Sequence, residues 1–140
     1  MLKDLYPYLI FDGTAADAMA FYVEALDAVI EGDMRWRDMP GDEVPPQMAD
    51  RVMHGCIRIG GHTLNLSDVP PQIALTPGDT VHVMLDFEDA DELRRRFEAM
   101  SEGATVRMPV ENTFWGACYG ELIDKFGVHW KFNCQLQSAS

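Results

Sequence analysis

Glu121 stands in Tyr119-Gly-Glu-Leu-Ile-Asp124, an otherwise mostly apolar stretch. A carboxylate there becomes a general base if a cleft strips away its water. On a solvated outer face it is only a surface charge. His82, ahead of Val83-Met-Leu-Asp-Phe87, has the same double reading. A neutral imidazole can ligate a metal or carry a proton, or simply hold a backbone carbonyl. His54 shares strand parity with Cys56 and Arg58, opposite Met53, Ile57 and Ile59, and the sequence leaves open which set faces a cleft. His62, after Gly60-Gly61, reads as an exposed turn residue, and His129, at a strand start, as a surface one. Trp115, Tyr8, Phe114 and Trp130 suit either the wall of a pocket for a flat ligand or the core. Asp124 precedes a turn and reads as structural.

Other chemistries find no support. There is no Gly-x-Ser-x-Gly elbow, no Walker-type loop and no Cys-x-x-Cys pair. Cys56, Cys118 and Cys134 are an odd number set far apart, which suits reduced, mostly buried thiols. A net charge of −12 repels nucleic acid and anionic membranes. No apolar run approaches the ~20 residues of a membrane span, and Met1-Leu-Lys-Asp-Leu-Tyr-Pro7 lacks signal-peptide character, so the cytoplasm is the expected location.

The elements that must position these residues follow from periodicity. Tyr6 to Phe11 reads as a strand, and Asp12-Gly13 as a turn into a helix over 15–28 that Thr14 is placed to cap. Strands are expected at 29–36, 52–59 and 62–67, the last two joined by a Gly60-Gly61 turn. Residues 38–50 read as a loop and 69–79 as a Pro-rich linker. The order then repeats: a strand over 80–87, a helix over 88–100 ended by Gly103, and strands over 105–110, 116–124 and 128–134. Residues 135–140 read as a frayed tail. The fold class is therefore α+β, two tandem βαβββ repeats forming a cleft-bearing mixed sheet. One domain over residues 1–140 is expected, with repeat one at about 5–68 and repeat two at about 80–134.

Three segments carry a family resemblance: Tyr6–Gly13 running into Ala20-Phe-Tyr-Val-Glu-Ala-Leu26, Arg51–Asp68, and above all Phe114-Trp-Gly leading to Asp124-Lys-Phe-Gly-Val-His-Trp130. Together they resemble the PhnB-like branch of the vicinal-oxygen-chelate (glyoxalase/bleomycin-resistance/dioxygenase) superfamily. The resemblance implies a paired βαβββ fold, usually a homodimer, with ligands in the cleft. It also implies a divalent-metal site in catalytic members, with one ligand from each of four strands, whereas other members bind drugs such as bleomycin without metal. Carried over, the four metal positions fall at Pro7, Asn65, His82 and Lys131. Only His82 is a strong ligand, and a protonated lysine repels a cation.

The expectation is therefore a small-molecule-binding protein without the usual metal site and with no cofactor. Tyr8, His54, Asn65, His82, Trp115 and Lys131 would line its cleft, with Glu121 the candidate catalytic group. The alternative is a lyase or dioxygenase-like enzyme holding a divalent metal on non-standard ligands such as His54, His82 and Glu121. Some PhnB-like proteins are described as demethylubiquinone methyltransferases, but this chain has neither a Gly-x-Gly turn after its first strand nor the βαβ order of a doubly wound cofactor fold.

Overall fold

The computed structural model describes residues 1–41 and 44–136. These form two compact units, Met1–Thr76 and Pro77–Ser140, which divide within the expected linker. The first contains β1 (Tyr8–Phe11), α1 (Ala15–Leu26), β2 (Val29–Arg35), the single-turn α2 (Pro46–Ala49), β3 (Val52–Ile59) and β4 (His62–Asp68). The second contains β5 (Val83–Phe87), α3 (Ala90–Met100), β6 (Thr105–Asn112), β7 (Ala117–Ile123) and β8 (His129–Gln135). Each unit is a four-stranded mixed sheet, ordered β1-β4-β3-β2 and β5-β8-β7-β6. In each, the first and last strands pair in parallel and the others antiparallel. Two βαβββ units are thus the architecture.

The two units match residue by residue through the parallel pairs. Leu9 faces Leu66 across β1–β4, and Leu85 faces Phe132 across β5–β8. Asn65 is then the counterpart of Lys131, and Gly55 the counterpart of Gly120. The same register equates Tyr6, not Pro7, with His82.

Each unit packs its helix on one sheet face and leaves the other free of helix. A Cβ on Gly120 would meet Phe97 Cε2 at 2.9 Å, Val110 Cγ2 at 2.8 Å and the Met108 carbonyl at 3.2 Å. One on Gly55 would meet Met19 Sδ at 2.9 Å and Leu66 Cδ1 at 3.0 Å. Met19 can swing aside, but a ring and a backbone carbonyl cannot. Gly120→Ala should therefore lower stability by about 1–3 kcal/mol and Gly55→Ala by less, read as the shift in urea midpoint.

Some expectations are corrected. Thr14 makes no side-chain cap bond. Asp68, at the end of β4, instead accepts from the N–H groups of Gly13 and Ala15 through Oδ1 and of Val52 through Oδ2. By contrast, α3 is capped locally, Asp89 accepting from Asp91 and Glu92. β5 starts at Val83, later than expected, and its register with β8 begins at the Val83–Trp130 pair. Within the segment expected as a loop, Pro45 and Pro46 preset one helical turn. Residues 42–43 of that segment and the tail from 137 onward lie outside the described residues. Gln135 ends β8 instead of opening a frayed tail. No helix among the described residues is long and apolar enough to cross a membrane.

Candidate functional site

On β7 and β8 the residues facing α3 are buried, among them Cys118, Leu122, Trp130, Phe132 and Cys134. Strand alternation sends Tyr119, Glu121 and Ile123, with His129, Lys131 and Asn133, to the helix-free face, and all six are half-buried. The ladder is flanked by bonds from Asp124 N–H to the Val128 carbonyl and from Leu136 N–H to the Gly116 carbonyl. By alternation, Tyr119–Asn133, Glu121–Lys131 and Ile123–His129 fall at non-hydrogen-bonded pairs, where opposing side chains come closest. A polar network follows from that placement.

Lys131 Nζ donates to Glu121 Oε1 at 2.9 Å and to the Tyr119 hydroxyl at 3.1 Å. The bond to Glu121, then that to Tyr119, holds the ammonium proton above the usual lysine range. A raised pKa in the fold means that the pair stabilises fully below the unfolded value and is lost as pH rises through the folded one. Both groups keep part of their hydration, so Lys131→Met should cost about 1 kcal/mol at neutral pH. The deficit against wild type should shrink in strong alkali, as urea titrations at several pH values would show. Next to this pair, Asn133 donates to Asp86 Oδ1 at 2.9 Å. The Trp115 ring lies edge-on to Tyr119, centroids 5.9 Å apart, and is half exposed.

Beyond Glu121 lies a hollow of about 110 Å³ lined by Asp79, His82, Arg107, Glu121, Leu122, His129 and Trp130. His82 and His129 stack there, centroids 4.7 Å apart. His129 is therefore part of this group and not the isolated surface residue expected. His82 precedes β5, and its Nε2 lies 2.8 Å from the Asp79 carbonyl, which can only accept, so that nitrogen carries the proton.

In the first unit, β1, β3 and β4 bring Tyr8, His54, Cys56 and Asn65 to the helix-free face. Register pairs Tyr8 and Cys56 with Asn65, and the Tyr8 and His54 rings lie 6.2 Å apart. The structure thus answers the parity question: the His54 side of β3 faces away from α1, while Gly55 approaches Met19. Cys118 and Cys134 are buried, Cys56 is half-buried, and all three are free thiols. Burial pushes the Cys134 thiol up, so it stays protonated.

The donor set does not suit a metal. Among the described residues no three His, Cys, Asp or Glu side chains converge as a group able to hold a metal ion. At the superfamily positions stand an amide, Asn65, and an ammonium, Lys131, already tied to a carboxylate.

Sequence reasoning missed Tyr119, Asp79 and Arg107. Tyr119 shares the parity of Glu121 and was open to detection. Arg107 sits at a register irregularity between Val106 and Met108, which no alternation rule reveals.

These two βαβββ units, and the matches that follow, define a PhnB-like member of the vicinal-oxygen-chelate superfamily. The chain belongs to the family described as 3-demethylubiquinone-9 3-methyltransferase, which matches residues 3–133. It is 31% identical over 143 residues to protein YjdN of Escherichia coli, spanning 95% of this chain and 96% of that one. The crystal structure of protein PA1353 from Pseudomonas aeruginosa is similar, with a TM-score of 0.86 and 32% identity, covering 97% of this chain and 100% of that one. The manganese- and sulfate-bound fosfomycin resistance protein FosX of Listeria monocytogenes shares the fold at 13% identity and a TM-score of 0.64, covering 96% and 93%.

Proposed function

We propose that this chain binds a small molecule on its helix-free sheet faces without the superfamily's usual metal site. One observation carries the reading: the last of the four carried-over metal positions, on β8, falls at Lys131, an ammonium bonded to Glu121 and Tyr119. A cation bound beside it would meet a like charge. Tyr8, His54 and Asn65 on the first unit and His82, Trp115 and Lys131 on the second are the contact residues in this reading, and Glu121 serves as the counter-ion of Lys131. The family description names a methyl transfer. Neither sheet is doubly wound, and β1 and β5 run on through Asp12-Gly13-Thr14 and Glu88-Asp89, without a Gly-rich turn. That geometry supports binding over nucleotide-cofactor chemistry. The reading includes a cytoplasmic homodimer, on family likeness. It includes no nucleic-acid partner, on the net charge of −12.

The test is a thermal-shift screen of small molecules in the presence of a chelator. Ligands that raise Tm in wild type, and do so less in Trp115→Ala, are expected. A library that stabilises the protein only after metal is added would contradict the reading.

A further inference from the structure

The geometry points to Lys131 as a fixed internal cation that donates to an oxygen of a planar, conjugated ligand at the place where relatives with a metal site would use the metal. This rests on the binding reading above and names the ligand's chemistry. An ammonium has three N–H donors. Two are used, on Glu121 and Tyr119, and among the described residues Lys131 makes no third hydrogen bond. Its side chain keeps 30% of its exposure, so a ligand can approach it. The adjoining surface is aromatic. Trp115 is 51% exposed beside Tyr119, and the Lys131 ammonium lies 5.8 Å from the Tyr119 ring centre. A flat π-system laid against Trp115 would sit next to Tyr119, whose hydroxyl accepts from Lys131.

The charges around Lys131 narrow the class further. On β7 it faces Glu121 and Tyr119. On its own strand its neighbours on this face are His129 and Asn133. On β5 its register partner is Met84, and the next carboxylate, Asp86, is held by Asn133. Glu121 offsets the ammonium, while Arg107 lines the hollow beyond Glu121; a neutral carbonyl or enol-type oxygen asks for no further counter-charge at Lys131.

The probe is 7-hydroxycoumarin, planar and fluorescent, with a ring carbonyl and an ionisable hydroxyl, followed by anisotropy with a chelator present. Wild type should bind it, and inorganic phosphate should not compete. Lys131→Met should weaken binding about tenfold or more, the loss of a hydrogen bond to a charged group. Glu121→Gln keeps the ammonium and removes its counter-charge, so it should shift preference toward the ionised dye. This variant also serves if Lys131→Met fails to fold. Equal binding by Lys131→Met, or an unchanged ionisation preference in Glu121→Gln, would overturn the role of Lys131 and leave the binding reading standing. No binding of the dye, with hits still found in the thermal-shift screen, would overturn the ligand class alone. No ligand from either experiment would overturn both.

Discussion

Asp124→Ala should destabilise the second unit by roughly 3 kcal/mol or more, the largest effect of any single side chain considered. Asp124 is only 3% exposed. Its Oδ1 accepts from the N–H groups of Phe126 at 2.9 Å and Val128 at 3.0 Å, and its Oδ2 from Trp130 Nε1 at 2.8 Å. One carboxylate thus shapes the β7–β8 turn and satisfies the polar edge of a buried indole. Alanine removes both acceptor oxygens and the three hydrogen bonds they accept, and a buried unpaired donor costs about 1–3 kcal/mol. Asp124→Asn keeps the shape but loses the charge assistance and presents an amide to one of the donors, so an intermediate loss is expected. Guanidinium denaturation of the three proteins gives the order directly. A loss of only a few tenths of a kcal/mol for Asp124→Ala, in the range of ordinary surface substitutions, would show that the turn forms without its carboxylate.

Asp68→Ala should cost about 2–4 kcal/mol in the first unit. Asp68 is 6% exposed, and its two oxygens serve the start of α1 and the start of β3 at once. A local cap is worth about 1 kcal/mol, and the Asp89 cap of α3 supplies the internal comparison. The loss in Asp68→Ala should therefore exceed that in Asp89→Ala by about twofold or more, measured as urea midpoints. Equal losses would mean that Asp68 acts as an ordinary cap and does not tie strand to helix.

The repeat order was legible in the sequence because hydrophobic period and turn residues changed together. β3 was read at its observed limits since Val52 opens the alternation and Gly60-Gly61 closes it. The cap of α1 was not legible. Thr14 had the right type and place, but the acceptor came from Asp68, 53 residues away from Ala15 in sequence, and periodicity carries no such distance. The candidate site divides in the same way. Glu121 and Lys131 were each singled out, but the face that Glu121 takes was left open. Their ion pair needed the β7–β8 register, which the short Asp124–Gly127 turn sets. His129 was read alone because its partner His82 comes from the other side of α3 in sequence.

The central claim is that an ammonium replaces a metal ligand. The most direct measurement is metal content by mass spectrometry, on protein without a His-tag, after soaking in Zn, Ni, Mn and Fe(II). Wild type should retain no stoichiometric metal from any of them. Retention of one metal per chain, lost in His82→Ala, would contradict the account.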